Sequence, residues 1–447
     1  MEFVSTRNKE NRVGFTGAIR SCHCADGGLY VPASEDNLRP WVYYLKDTTS
    51  FSSIAGSLTT AIMKDEFSPL VCEAIATAAF PFSPDFVQLE ENLFKLSLFT
   101  GPTGSHKDFG VSYLVNCLEY TLLMEEKEAI VFAISDGEIG ASLAHAMKGK
   151  KHLKALILFP RGTMRGFRQE DCVWNGGNIY PVEVDGSRAD CSCLAQRLFA
   201  RRDLVERYRL TLANTVNIGR LLPQTCFYLY AFSRLKEKVY GDIFYAVAPG
   251  NYGNLVAGLY GWQYSLPVNA FVTESTESLG VDANGKAQLE GKAVPFCQRE
   301  PADPGSPSNL ERLEEVFHAQ PMVMRGLVFP QQVSSQEREE ACRHLFQKYG
   351  IFANSETAGA YAAAQKYTNS FTADGSSVVL VARDHPALAG AVGGGPGGRE
   401  WIREICGQAP LVPESLQWLL EPVVPQKRID GSLEEVEAIL NQLAEEG

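Results

Sequence analysis

From residue 129 onward, the chain alternates short apolar runs with glycine-containing loops and helical patterns, and this alternation constrains the fold more than any other feature. Strands that are separated by helices form parallel sheets with helices packed on both faces. The sequence therefore predicts an α/β fold with a parallel sheet. The runs that we interpret as buried strands are residues 129–134, 155–159, 179–184, 243–248 and 378–382, with a helix over 141–148.

Length and charge limit the possible functions. The chain has 447 residues, of which 45% are hydrophobic, so it can bury a large core and should form two or three domains. Its formal net charge of −12 argues against nucleic acid and anionic membranes as partners. No run of about 18 apolar residues indicates a membrane span, and the start at Met1 lacks a basic segment before an apolar stretch. We expect a cytoplasmic protein.

The eleven cysteines are scattered and odd in number, which favours free thiols over a disulfide framework. Cys22, His23 and Cys24 invite comparison with a metal site. Their spacing is too tight for a usual zinc pair, and no second pair lies nearby in the sequence. We therefore expect no metal.

Lys107 stands between a turn rich in Gly, Pro and Thr and a segment with helical spacing of apolar residues. The positive end of the helix dipole disfavours a cation there, so such a lysine must be solvated or neutralised. A covalent imine neutralises it, because a lysine in a packed, water-poor site loses its proton easily and can condense with an aldehyde cofactor. A solvated surface lysine is the alternative, and this segment alone leaves both open.

A second segment, residues 248–254, reads Ala-Pro-Gly-Asn-Tyr-Gly-Asn and joins a predicted strand to a helix. Glycines let the backbone approach an anion, and the helix dipole favours a negative charge at this end. The segment thus has the properties of a phosphate cradle, although many glycine-containing turns bind nothing. Its candidate ligands are Gly250, Asn251, Tyr252, Gly253 and Asn254.

A third segment, residues 214–224, contains Asn214, Thr215, Asn217 and Arg220. A guanidinium with nearby hydroxyl and amide groups can bind a phosphoryl group through several hydrogen bonds. Alternatively, Asn214 or Thr215 caps a helix, and capping does not exclude binding.

Several segments, taken in order along the chain, closely resemble those of threonine synthases, which are fold-type II (tryptophan synthase β-like) enzymes that depend on pyridoxal phosphate (PLP). The resemblance implies a core of two lobes, each built mainly on parallel sheet flanked by helices. It also implies an N-terminal domain over 1–95, a PLP-binding core over 96–395, and a connector with a short helical tail over 396–447. The segments that carry it are 5–7, 26–32, 99–109, 214–224, 248–254 and 307–312.

The resemblance further implies the reaction, in which O-phospho-L-homoserine and water give L-threonine and phosphate. Lys107 would hold PLP as an internal aldimine and move protons during γ-elimination and β-addition of water. The loop at 250–254 would hold the cofactor phosphate. Substrate would contact Asn214, Thr215, Asn217 and Arg220 through its phosphate, and Ser135, Gly137 and Glu138 through its carboxylate.

The sequence departs from the family at its predicted contacts. The carboxylate loop of the family reads Thr-Ser-Gly-Asp-Thr-Gly, whereas residues 134–140 read Ile-Ser-Asp-Gly-Glu-Ile-Gly and lack two hydroxyl groups. Arg383 stands where the family has a threonine, so either it faces the pyridine nitrogen or it turns outward and Ala382 faces the ring. His106 replaces the usual aromatic residue, either packing or adding a titratable group beside the lysine.

These departures leave two other functions open. A threonine-synthase-like paralogue would perform elimination or β/γ-replacement on another amino acid, phosphorylated or not. A catalytically silent member would serve as a binding subunit. In each case we expect a small-molecule ligand and a monomer or homodimer. We interpret the glycine-rich run at 393–398 as a connector or loop, and Ser432 with Glu435 as a capping box that opens a tail helix.

Overall fold

The computed structural model of the chain describes a two-lobed α/β protein, and this confirms the predicted fold class. The described residues are 1–33, 37–168, 177–239, 241–265, 267, 270–289, 295, 298–317, 321–368, 375–389 and 397–445. Most of the glycine-rich run, residues 393–396, lies outside them, as does the predicted boundary between 395 and 396.

The described strands are β1 (Phe3–Ser5), β2 (Tyr30–Pro32), β3 (Asp85–Glu90), β4 (Leu93–Ser97), β5 (Ala129–Ile134), β6 (Leu153–Pro160), β7 (Ile179–Val184), β8 (Leu210–Leu212), β9 (Ile243–Ala246), β10 (Ala270–Glu274), β11 (Leu279–Val281), β12 (Ala287–Leu289), β13 (Val328–Gln331), β14 (Ser377–Ala382) and β15 (Arg428–Ile429).

The described α-helices are α1 (Phe15–Ser21), α2 (Arg39–Val42), α3 (Phe51–Met63), α4 (Pro69–Ala79), α5 (Lys107–Glu125), α6 (Glu138–Met147), α7 (Arg188–Ala200), α8 (Arg202–Arg207), α9 (Ile218–Leu221), α10 (Thr225–Leu235), α11 (Gly253–Gln263), α12 (Leu310–Phe317), α13 (Pro321–Leu327), α14 (Ser335–Tyr349), α15 (Ser355–Thr368), α16 (Arg399–Cys406) and α17 (Leu433–Glu445). Short 3₁₀ helices span Leu222–Gln224 and Glu414–Leu420.

The larger sheet has six strands in the order β13-β10-β9-β14-β4-β3. All neighbouring pairs are parallel except β3 and β4, which form an antiparallel hairpin at one edge. The sequence did not predict this hairpin, because β3 lies on the edge, is largely exposed and carries charged residues. The predicted domain boundary at 95 falls within β4, and the division into domains remains a prediction.

The smaller sheet has five parallel strands in the order β15-β7-β6-β5-β8. Every residue of β5 and β7 is buried, as expected when helices cover both faces of a parallel sheet. The mostly apolar runs therefore predicted these two strands with the correct bounds, even though β7 contains the buried Glu183. Helix α6 begins at Glu138, three residues before the predicted start.

The C-terminal tail returns to the smaller lobe. Strand β15 pairs with β7, and α17 buries Val436, Leu440 and Leu443. The Ser432 hydroxyl accepts a hydrogen bond from Glu435 N–H (3.3 Å), as the capping pattern predicted. The Glu435 carboxylate, however, accepts from Asp430 N–H (2.6 Å), two residues before the Ser432 N–H that a capping box requires.

The segment 307–312, one of those that carry the family resemblance, joins the N-terminal region to the core. The Arg312 side chain is fully buried and donates to the carbonyl oxygens of Tyr30 (3.0 Å), Thr215 and Val216 (2.9 Å). Since a buried guanidinium must have partners, these bonds fix α12 against the loop after β8.

Candidate active site

The parallel strands β9, β14 and β4 are neighbours, so their carboxyl ends bring three sequence-distant loops together. These are the lysine segment after β4, the glycine loop after β9, and Arg383 with Asp384 after β14. Glu138 and Thr215 approach from loops that follow β5 and β8 of the smaller sheet. Together they line a cavity of about 730 Å³. Predicted residues in its lining are Lys107, Glu138, Asn214, Thr215, Arg220, Gly250, Asn251, Gly253, Asn254 and Arg383.

Asp108 fixes the turn that precedes Lys107. Its buried carboxylate accepts hydrogen bonds from the N–H (2.8 Å) and hydroxyl (2.7 Å) of Thr103, and from the Ser142 hydroxyl (2.7 Å). A Cβ on Gly101 would lie 2.5 Å from this carboxylate, so only glycine leaves room there. The turn is thus held to the first residues of α5, and Lys107 has a defined position.

Lys107 is the first residue of α5, and its Nζ pairs with the Glu138 carboxylate across the cavity. Burial, the largest single influence, would lower the pKa of Lys107, but the charges of Glu138, Asp384 and Glu356 and the hydrogen bond to Glu138 together outweigh it, and the pKa is raised. The carboxylate therefore neutralises the cation that the helix dipole disfavours. Glu138 itself begins α6, where a negative charge is favourable.

The His106 side chain contacts a carboxylate, so simple packing does not describe it. Its Nδ1 lies 3.1 Å from Oδ1 of Asp384, which also accepts a hydrogen bond from Ser105. Burial lowers the pKa of His106 to about 4 despite this partner, so the imidazole is neutral near pH 7. The backbone N–H of His106 also donates to the backbone carbonyl of Arg383 (2.8 Å), and this bond joins the lysine segment to the end of β14.

The glycine loop has the geometry of an anion cradle. Gly250 has φ +47° and Tyr252 has φ +64°, and α11 begins immediately afterwards at Gly253. The Asn251 side chain orders the loop, because it accepts from Gly253 N–H (3.2 Å) and donates to the Thr215 hydroxyl (2.9 Å). The loop after β9 is thereby linked to the loop after β8.

Arg220 is 3% exposed, and its Nε and Nη1 have no hydrogen-bond partner among the described residues. Burial lowers the pKa of Arg220 to about 10, and nearby Asp108 and Asp384 oppose that shift. The guanidinium remains charged near pH 7, and unpaired buried donors are costly. Because Arg220 lines the cavity, this arrangement suits an anionic ligand.

Arg383 points inward, which removes the alternative that it turns away from the cavity. It is 8% exposed, lines the cavity and forms an ion pair with Glu356 of α15.

Four predicted site residues are outside the cavity lining as the structure describes it. The buried Ser135 hydroxyl accepts from the N–H groups of Gly137 (2.9 Å) and Gly140 (2.8 Å) and so shapes the loop from within. Gly137 has φ +138°, a conformation that its place before α6 requires.

Asn217 caps α9 through Gly219 N–H (3.0 Å), so the helix cap is not Asn214 or Thr215. Tyr252 bonds to Thr276 (2.6 Å).

The sequence reasoning missed several cavity residues, including Glu274, Arg338, Asn354 and Glu356. Glu274 is the last residue of β10 and pairs with Arg338 of α14. Glu356 is the second residue of α15. Recognising β10 as a strand would have placed Glu274 at the same sheet edge as the other loops. Arg338 and Glu356 lie within helices, where no sequence motif indicated that they face the cavity.

Among the described residues, no group of three or more His, Cys, Asp or Glu side chains is arranged to hold a metal ion. In that same part of the chain, no helix is both long and apolar enough to cross a membrane. The cysteines of the described segments are free thiols.

Comparison with known proteins identifies the family. Residues 84–384 match the family model "Pyridoxal-phosphate dependent enzyme", and residues 2–80 match "Threonine synthase N terminus". Threonine synthase of Escherichia coli is 28% identical over 390 residues, which cover 87% of this chain and 89% of that protein. That of Buchnera aphidicola from Schizaphis graminum is 29% identical over 364 residues, or 81% and 84% of the two chains.

Solved structures share the fold. PLP-bound threonine synthase from Brucella melitensis superposes with a TM-score of 0.80 at 22% identity over 99% of both chains. Threonine synthase from E. coli gives a TM-score of 0.78 at 23% identity, over 99% of this chain and 100% of that one.

The residues of the cavity fit PLP. Lys107 supplies an amine, and the glycine loop presents a helix N-terminus in which Gly250 has no room for a side chain. The buried guanidinium of Arg220 has two nitrogens, Nε and Nη1, that have no partner among the described residues and could bind a second anion. The chain belongs to the pyridoxal-phosphate dependent enzyme family, and within it is a lyase of the threonine synthase group.

Proposed function

We propose that this protein is a threonine synthase, which converts O-phospho-L-homoserine and water to L-threonine and phosphate. The observation that carries the proposal is that Lys107 and Arg220 line one cavity, and that Nε and Nη1 of Arg220 have no hydrogen-bond partner in the described part of the chain. Such a cavity offers an amine for proton transfer and a cation for a departing phosphate. The curated relatives that match most of the chain support this choice of reaction.

Bound PLP withdraws electrons from the substrate and so acidifies its Cα and Cβ hydrogens. Lys107 is the residue that would hold the cofactor and, once displaced by substrate, would move protons at Cα and Cβ. Its partner Glu138 can accept a proton from the ammonium, which gives the neutral amine that acts as a base. The pair thus keeps a proton close to the reacting carbons.

Arg220 would bind the substrate phosphate through Nε and Nη1, and this contact would strengthen as charge develops on the leaving group. The Thr215 hydroxyl is held by Asn251 (2.9 Å) and Asn309 (3.0 Å), so its position beside the phosphate is fixed. Asn214 also lines the cavity and would contact the same group. Asn217 acts indirectly by capping the short helix that carries Arg220.

The cofactor phosphate would lie on the loop of Gly250, Asn251, Gly253 and Asn254, at the N-terminus of α11. In this arrangement the two phosphates bind to different groups, the cofactor to the glycine loop and the substrate to Arg220. Tyr252 contributes through its left-handed backbone rather than its side chain.

The test is a coupled assay on the purified holoenzyme. O-phospho-L-homoserine is added, and phosphate and threonine are measured in the same sample. Equal amounts of the two products support the proposal, and Lys107→Ala, which removes the amine, should release neither. Phosphate without threonine would overturn it.

One observation favours a second function, that of a paralogue acting on another phosphorylated amino acid. Ser135 is turned into its loop, and Ile139 lines the cavity where the family has a hydroxyl residue. A substrate carboxylate would thus lose two donors. Phosphate released together with a keto acid, or released only from a different phosphorylated amino acid, would favour this reading.

A further inference from the structure

Arg383 carries a buried charge, and among the described residues its one ion-pair partner is Glu356, with the charges of Asp384 and Glu138 nearby. Its guanidinium forms an ion pair with Glu356, whose side chain is 49% exposed. The Nε atom is buried and has no partner within the described segments. A charged group in such a site is stable only when its remaining donors meet an acceptor.

The other face of this guanidinium lies against the glycine loop. A Cβ on Gly250 would come within 2.6 Å of Nη1 and 3.1 Å of Nη2 of Arg383. No side chain fits there, so the backbone of the loop and the guanidinium are direct neighbours. Gly250 immediately precedes the turn into α11, where the helix dipole favours an anion.

We propose that Arg383 is a second anchor for the phosphate of PLP, with Glu356 holding the guanidinium in place and Gly250 leaving the space for it. The inference rests on PLP binding by this chain and not on the identity of the amino-acid substrate. Arg383 follows β14 and Gly250 follows the neighbouring strand β9, so a long side chain at the first position reaches the loop at the second.

This placement differs from the position facing the ring nitrogen that the sequence had led us to consider. A contact with the ring would affect every cofactor analogue that carries the ring. A contact with the phosphate affects only phosphorylated analogues. The two arrangements therefore predict different ligand dependences.

The experiment compares PLP with pyridoxal, which has the same ring and aldehyde but no phosphate. Protein freed of cofactor is titrated with each compound, and the imine absorbance gives the two dissociation constants without any substrate. Arg383→Gln should weaken PLP binding about 10- to 100-fold, the range for a charge-assisted hydrogen bond, and change pyridoxal binding less than about twofold.

Arg338→Gln is the matched control, because it removes the same charge from an arginine that lines the same cavity and is also paired with a glutamate. It should leave the ratio of the two dissociation constants unchanged. An equal loss for PLP and pyridoxal in Arg383→Gln would overturn the proposal in favour of a ring contact. Unchanged affinity for both would also overturn it.

Arg383→Lys keeps the charge and guards against a folding defect in the glutamine variant. Its ratio should fall between those of the wild type and Arg383→Gln, because an ammonium cannot reproduce the two-pronged geometry of a guanidinium. A ratio equal to that of the wild type would contradict the requirement for a guanidinium. Since no substrate is present, failure of this proposal is distinguishable from failure of the threonine synthase assignment.

Discussion

Arg220 can occupy its buried position only because the neighbouring helix has a glycine at 110. A Cβ on Gly110 would overlap the Arg220 guanidinium and lie 2.5 Å from the backbone carbonyl oxygen of Arg220. Glycine inside a helix normally costs about 1 kcal/mol relative to alanine, so here space for Arg220 outweighs helix propensity.

We therefore predict that Gly110→Ala lowers the kcat/KM for the phosphorylated substrate at least about tenfold and destabilises the fold by about 1–3 kcal/mol. Steady-state phosphate release and thermal unfolding measure the two effects. Gly326→Ala is the control, since that glycine is also helical but a Cβ there meets nothing within 4 Å. Equal behaviour of the two variants would refute the steric argument.

His23 makes stability depend on pH. Burial, with a smaller contribution from Arg202, lowers its pKa to about 4, below the usual value of 6.5. Between these pH values the unfolded chain binds a proton that the native chain does not, so the free energy of unfolding falls as the pH falls. The contribution of neutral His23 to the free energy of unfolding is therefore fully present above pH 6.5 and is lost as the pH falls towards 4.

Urea unfolding at pH 7, 6 and 5 should show this decrease, with about 2 kcal/mol over this range attributable to one such histidine. His106, whose pKa is lowered to about 4 by burial, adds to it in the same direction. His23→Gln should flatten the slope while leaving some of it. A slope identical to that of the wild type would contradict the assignment to His23.

At the scale of single elements, α17 tests whether the tail stabilises the smaller lobe. Leu440 is completely buried in a cluster with Val184 of β7 and Leu194 of α7. Leu440→Ala should therefore cost about 2–5 kcal/mol of unfolding free energy, measured by chemical denaturation. Leu411→Ala is the control, because Leu411 is 82% exposed and its loss should cost less than about 0.5 kcal/mol.

The elements also show what the sequence could and could not predict. Strands β5 and β7 were predicted with their bounds because both faces are buried and the runs are mostly apolar, with Glu183 the one charged residue in them. The edge strand β3 lacks such a run, and β10 was overlooked. The motif loops located Lys107 and Arg220, whereas Glu356 reaches the cavity only through the packing of α15. Local pattern predicts an element, but tertiary packing decides its neighbours.

At the scale of the molecule, the cofactor should tie the two lobes together, since the cavity takes residues from the loops of both sheets. Removal of PLP should lower the melting temperature, and added PLP should raise it with a logarithmic dependence on concentration. At one hundred times the dissociation constant the gain is about 2.7 kcal/mol. Thermal unfolding with PLP, and with inorganic phosphate as a control, checks this. A melting temperature that ignores PLP would contradict it.

The position of β14 has a consequence for how the protein is made. It lies between β4 and β9 in space but follows both in sequence, so a ribosome delivers the middle strand of the larger sheet after its neighbours. Until residues 377–382 emerge, β4 and β9 each expose an open edge that can pair with other chains. A nascent chain is therefore vulnerable to aggregation until late in synthesis, and a product truncated before Ser377 could not complete the sheet edge that assembles the cavity.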